Sequence, residues 1–132
     1  MFSKKAIGRL QDEPVIWMTT VSDSGQPQTS LVWFLWTGSD FLIYSLDPSP
    51  RIRNITGNPQ VALNFDGDGR GGDLVIVEGT ATIGTGTAAE RDEFTLKYRH
   101  HMQREFGGPD DYFSGYPTAV RVEPKRVREY VG

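Results

Sequence analysis

The 132-residue sequence predicts a mainly β domain of the α+β kind, an antiparallel barrel or sandwich with one long helix packed on it. Two observations carry this. Six short runs rich in β-branched and aromatic residues lie between turn-forming residues, and a single segment keeps a helical period over many turns. Fifteen Gly and eight Pro supply the turns. For this many short strands, closure of the sheet removes exposed edges, which favours a barrel.

The first strand is residues 15–21, where Val15, Ile16, Trp17 and Val21 favour extended backbone and Ser22-Asp23-Ser24-Gly25 turns the chain. Residues 28–36 follow as one strand, and the unbroken apolar run from Leu31 to Trp36 requires cover on both faces. After Thr37-Gly38-Ser39-Asp40, residues 41–46 form a third strand that closes a meander. Pro48 and Pro50 then open a short helix within 47–59, with Ile52 and Ile55 on one side and Gly57 at its end. Val61, Leu63 and Phe65 alternate with polar or small residues, and residues 74–83 return after a Gly-rich loop, which makes a hairpin. The long helix is residues 87–106, in which Phe94, Tyr98, Met102 and Phe106 recur every four positions. Thr85 or Thr87 caps its start, and Gly107-Gly108-Pro109 ends it. Residues 119–131 form the last strand, kinked or bulged at Pro124.

Residues 1–132 read as one domain without linker or repeat. The chain has no cysteine, which excludes disulfide frameworks, thiol catalysis and cysteine-held metals. The first twenty residues hold no apolar stretch long enough for a leader or a membrane span, so the expected location is the cytoplasm. A net charge of −3 argues against whole-surface attraction to nucleic acid or anionic membrane. An anion must instead be held by a local cluster.

Most motif-like spacings have simpler explanations. Gly67, Gly69 and Gly72 match a dinucleotide-binding spacing, but a strand follows them rather than a helix, so they read as a hairpin loop. The same loop begins like a calcium site, yet Arg70 and Val77 stand where ligand oxygens belong. His100 and His101 are adjacent on a helix and point about 100° apart, so no metal is expected at them. Asn54-Ile55-Thr56 spells a glycosylation acceptor in a chain without a secretory signal. What remains is residues 45–54, where Ser45, Ser49, Arg51, Arg53 and Asn54 gather between a strand end and a helix start. Helix-opening N–H groups and guanidinium forks both favour a phosphate there. Otherwise the arginines are solvated or paired with carboxylates. The aromatic residues Trp33, Phe34 and Trp36 either lie under the long helix or face a subunit or a flat ring ligand.

Taken in order, several stretches resemble the pyridoxamine 5′-phosphate oxidase-like split-barrel flavoproteins, in particular small actinobacterial members that use the deazaflavin F420. The matching stretches are Thr19-Thr20-Val21 with Asp23-Ser24-Gly25-Gln26-Pro27, Val32-Trp33-Phe34, and Tyr44-Ser45 leading to Pro50-Arg51-Ile52-Arg53-Asn54-Ile55. Asn58-Pro59-Gln60-Val61, Val77-Glu78-Gly79-Thr80-Ala81 and Arg121-Val122-Glu123-Pro124-Lys125-Arg126-Val127 complete the set.

The resemblance implies a six-stranded antiparallel split β-barrel with one long helix and short helices. It also implies a homodimer with two flavin or deazaflavin sites between the subunits. The cofactor phosphate would lie against Arg51, Arg53 and Asn54, with Ser45 and Ser49 adding hydroxyls. Ser30, Val32 and Trp33 would run along the ring. Arg51 stands where many relatives have Lys, which keeps the charge and changes the geometry. F420 is the expected cofactor and FMN the alternative. The longer anionic tail of F420 would require further cations such as Lys4, Lys5, Arg9 or Arg70.

The implied activity is hydride transfer between F420 and a small unsaturated organic acceptor. Tyr44, Tyr98, His101 and Tyr112 are available as proton donors, and none is singled out as catalytic. The remaining alternatives are an FMN oxidoreductase and a non-catalytic carrier or sensor of a haem-like ligand.

Overall fold

The computed structural model describes residues 1–130. Its elements run α1 (Lys4–Asp12), β1 (Ile16–Val21), β2 (Pro27–Val32), β3 (Leu35–Trp36), β4 (Phe41–Ser45) and α2 (Pro50–Gly57). They continue with β5 (Gln60–Asn64), β6 (Leu74–Gly84), α3 (Ala88–Phe106), α4 (Pro109–Gly115) and β7 (Thr118–Tyr130). All pairings are antiparallel and give a seven-stranded curled sheet in the order β2-β1-β5-β6-β7-β4-β3. Four helices decorate it, and none of those described is long and apolar enough to cross a membrane.

The count is seven strands rather than six because residues 28–36 are not one strand. The chain leaves β2 after Val32 and enters β3 at Leu35, and these two strands form opposite edges of the sheet. Only Trp33 and Phe34 separate the edges along the chain, so the sheet must curl. The break costs Phe34 its ladder partners while leaving its side chain fully buried. Helix α3 supplies replacements: the Tyr98 hydroxyl accepts from the Phe34 N–H at 2.9 Å and Lys97 Nζ donates to the Phe34 carbonyl at 2.8 Å. The expected meander is also absent. Strand β4 pairs with β7 and β3, and β2 pairs with β1 alone. Nor is β2 covered on both faces, since Gln28, Thr29 and Leu31 are exposed.

Other elements form where local chemistry places them. Thr87 and Glu90 make a reciprocal capping box at the start of α3, and Gly107 ends the helix with φ of 90°. Ser49 caps α2 ahead of Pro50. β5 and β6 form the expected hairpin. The bulge at Pro124 is real: Glu78 faces Arg126 and Gly79 faces Pro124, leaving Lys125 unopposed. The part of the last strand assigned to Val131 lies outside the described residues. Helix α1 is an addition to the sequence reading; Ser3 caps it, and Ala6 and Leu10 bury one side.

Two cores result. The sheet interior is filled by residues such as Met18, Phe34, Phe41, Leu63, Val77 and Val122. A second core lies under α3 and α4 on the other face of β4 and includes Leu42, Tyr44, Phe94, Tyr98, Met102 and Tyr112. The candidate site lies beside that second core.

Candidate functional site

Two clefts meet at Arg51. On the α2 side, Thr20, Gln28, Ser30, Ser49 and Asn54 join Arg51 around a space of about 330 Å³. On the α4 side, Leu31, Trp33, Leu46, Tyr112 and Tyr116 join it around about 350 Å³. Among the described residues Arg51 is the one cation lining either cleft.

The sequence explains how Arg51 arrives there. Ser49 ends the extended segment after β4 and caps α2, its hydroxyl accepting from the Ile52 N–H at 3.3 Å. That turns Arg51, in the first turn, inward toward the ends of β2 and β4. Its Nη1 donates to Ser45 Oγ at 3.1 Å and its Nη2 to Ser30 Oγ at 2.8 Å. Ser45 is fully buried, and its hydroxyl donates to the Leu46 carbonyl at 3.0 Å. Arg51 Nε is buried without any partner. No ion pair among the described residues includes Arg51. Burial pushes its pKa down, and the nearby Tyr116 and Tyr112 act in the other direction. A half-buried guanidinium with an orphan donor and no ion-pair partner is costly to keep, and an anion in the clefts would offset part of that cost.

Not every residue singled out from the sequence joins this arrangement. Ser30, Ser45, Ser49 and Arg51 come together as one cluster. Val32 and Trp33 line the α4-side cleft, Val32 buried and Trp33 half-buried. Asn54 borders the α2-side cleft, yet its Nδ2 is spent on Thr20 Oγ1 at 2.9 Å and Gln28 Oε1 at 2.8 Å. It ties α2 to β1 and β2. Arg53 is exposed and lines neither cleft, since two helical steps carry it about 200° from Arg51.

The cations expected along an anionic tail are engaged elsewhere. Lys5 pairs with Asp73 at 2.7 Å and Arg9 with Glu13 at 2.6 Å, around a separate cavity of about 400 Å³ beside α1. Lys4 and Arg70 line neither cleft at Arg51.

The four proton-donor candidates also separate. The Tyr98 hydroxyl is committed to Phe34 and to the Pro14 carbonyl at 2.7 Å. His101 stands edge-on to Trp33. Tyr44 and Tyr112 both line the α4-side cleft, and burial raises both pKa values, so their hydroxyls stay protonated. The Tyr44 hydroxyl is buried without a partner. Trp36 packs on Phe2 and Phe41 on the α1 side and lines neither cleft. Trp33 does lie under the helices, stacked on Tyr98 and Tyr112. Sequence reasoning passed over Tyr116 and Gln28; the repeat of tyrosine four residues after Tyr112 was the available signal for the first.

The sequence model of the pyridoxamine 5′-phosphate oxidase family matches residues 2–130. The chain belongs to that family. Its fold is the family's split barrel, here with seven strands in one curled sheet. No curated protein matches it. Among solved structures, an F420 reductase is 23% identical and superposes with a TM-score of 0.66, covering 90% of this chain and 93% of its own. The heme storage protein HutZ from Vibrio cholerae is 17% identical, with a TM-score of 0.67 over 98% of this chain and 96% of its own. A FAD-binding protein from Mesorhizobium loti is 19% identical, with a TM-score of 0.65 over 96% and 92%. At these identities the likeness is one of fold.

Proposed function

We propose that this family member is an F420-dependent oxidoreductase that exchanges hydride with a small unsaturated organic acceptor. We further propose that it works in the cytoplasm as a homodimer with the cofactor at the subunit boundary. The observation that carries the reading is Arg51, a half-buried guanidinium in no ion pair among the described residues, at the junction of two clefts of which one also holds the exposed Glu105. The α2-side cleft is lined by hydroxyl and amide side chains as well as Arg51, and the α4-side cleft is walled largely by aromatic rings.

When bound, the cofactor supplies the hydride chemistry. The chain's own residues do the rest. Arg51 would hold the phosphate with its guanidinium, whose plane the bonds to Ser30 and Ser45 fix. Ser49 and the opening of α2 add further donors. Val32 and Trp33 line the cleft that would receive the ring. Tyr112, kept protonated by burial, lines the α4-side cleft and would offer a hydroxyl donor to the acceptor. Leu31 and Leu46, 47% and 49% exposed at the cleft, exclude water once a second copy covers them.

The fold shared with an F420 reductase supports the deazaflavin. FMN is the second reading, favoured by Arg51 being the one described cation in the clefts, since FMN ends at its phosphate. Fluorescence titration of the ligand-free protein with F420 and with FMN tests both. Tight F420 binding with weak FMN binding is the expected result, the reverse preference moves the protein to FMN, and binding of neither refutes the proposal.

A further inference from the structure

The α4 side of the site holds a feature that the phosphate anchor leaves unused. Four rings follow one another from α3 to just beyond α4. Tyr98 and Trp33 have centroids 4.6 Å apart with 1° between planes. Trp33 and Tyr112 are 5.1 Å apart at 16°, and Tyr112 and Tyr116 are 4.7 Å apart at 17°. Phe106 stands edge-on to Trp33, Tyr112 and Tyr116 and holds the run in place. Tyr98 and Tyr112 are buried core residues, whereas Tyr116 stays half-buried and lines the cleft beside Arg51.

Tyr116 is not needed to complete α4. The helix ends at Gly115, its buried side chains are Tyr112 and Phe113, and Tyr116 follows as the cap residue, its N–H bonded to the Tyr112 carbonyl at 2.9 Å. Among the described residues Tyr112 is the one ring stacked on it, and Phe106 meets it only by an edge. The run therefore ends on a flat, partly open ring at the cleft. Because Arg51 and Leu46 border both clefts, a molecule anchored by its phosphate on the α2 side can extend into the adjoining α4-side cleft. The planar surface that it meets there is that of Tyr116, and an offset stack on a phenol ring suits any extended conjugated system.

We propose that Tyr116 is a positioning residue for the ring system of the bound cofactor, which stacks on it as the next member of the Tyr98, Trp33, Tyr112 and Tyr116 run. The inference rests on the reading of Arg51 as a phosphate anchor for a flavin or deazaflavin. Trp33 and Tyr112 act through Tyr116 by keeping its plane fixed.

The experiment compares FMN with riboflavin, which differ only in the phosphate, and F420 with its deazaflavin chromophore, which lacks the phosphate and the anionic tail beyond it. Affinity and the visible absorption band of the bound ring are recorded for wild type, Tyr116→Leu, Tyr116→Phe and Arg51→Met. Tyr116→Leu is expected to weaken both members of a pair by the same factor, about ten-fold, and to return the band toward that of the free ring. Tyr116→Phe keeps the stack and is expected to retain affinity within about two-fold together with the bound spectrum. Arg51→Met is expected to weaken the phosphate-bearing member alone. A Tyr116→Leu protein that binds both ligands with unchanged affinity and spectrum overturns the inference, as does a loss that Tyr116→Phe reproduces. Insensitivity to Arg51→Met with sensitivity to Tyr116→Leu removes the phosphate anchor instead. Binding of neither pair by wild type overturns both.

Discussion

Arg51→Met removes the guanidinium and keeps most of the aliphatic stem, so the two sides of its energetics can be weighed separately. In the ligand-free protein the substitution gives up the bonds to Ser45 and Ser30, at 3.1 and 2.8 Å, worth about 1.5 to 3 kcal/mol each for a charged donor. It recovers the desolvation cost of the cation, several kcal/mol, together with about 1 to 3 kcal/mol for the orphan Nε. The two sums nearly cancel. The variant should therefore melt within about 5 °C of wild type in the absence of ligand. Binding behaves differently, because the loss of a charge-assisted bond to phosphate costs about 1.5 to 3 kcal/mol, or about 10- to 150-fold in affinity. At a ligand concentration of about 100 Kd the wild type gains about 2.7 kcal/mol of stability, and a variant weakened about 100-fold gains about 0.4 kcal/mol at that same concentration. Thermal melts with and without F420 or FMN, joined to a direct titration, read both quantities. A ligand-free melt lowered by more than about 10 °C together with unchanged affinity would falsify the argument and make Arg51 a structural residue.

Three further outcomes test the frame around the site. Glu90 accepts from Arg121 Nη1 at 2.9 Å, and this partner with the Thr87 cap lowers its pKa from 4.5 to about 2. A carboxyl depressed by folding stabilises above its unfolded pKa and loses that contribution as pH falls through the folded one. Glu90→Gln should thus cost about 1 kcal/mol at pH 7 for a solvent-screened pair, and wild type should converge on the variant in melts between pH 4.5 and 2. Gly79→Ala should destabilise by about 1 to 3 kcal/mol, because a Cβ there meets Val122 Cγ1 at 2.7 Å and the Glu123 carbonyl at 2.8 Å; the denaturant midpoint checks it. Tyr98→Phe strands the buried Phe34 N–H and should cost about 1 to 3 kcal/mol, with faster amide exchange at Phe34 and unchanged exchange in β5 as the supporting pattern.

Where local rules decide, the sequence was legible. Helix α3 follows from the Thr87 and Glu90 box, the four-residue recurrence of Phe94, Tyr98 and Met102, and Gly107 in the left-handed region. The β5–β6 hairpin and the Pro124 bulge follow from alternation and from the missing N–H of proline. The run from Leu31 to Trp36 was not legible in the same way. An apolar stretch reports that side chains are buried but not in which of two cores, and here the chain crosses from one sheet edge to the other inside it. Helix α1 escaped notice because Gly8 and a polar majority hide the Ala6 and Leu10 spacing.

From residue types and spacing alone, the chain already announced a mainly β domain, its one long helix and a basic, hydroxyl-rich turn between β4 and α2. Those features depend on propensity, capping and periodicity, which act within a few neighbouring residues. Which arginine of that turn enters the clefts was decided by tertiary structure. Helical geometry turns Arg53 to solvent, and Asn54 is spent joining α2 to the sheet. Arg51 is set between Ser30 on β2, Ser45 on β4 and the tyrosines around α4. Its surroundings are a property of four elements brought together, and no stretch of sequence short enough to read as a motif contains them all.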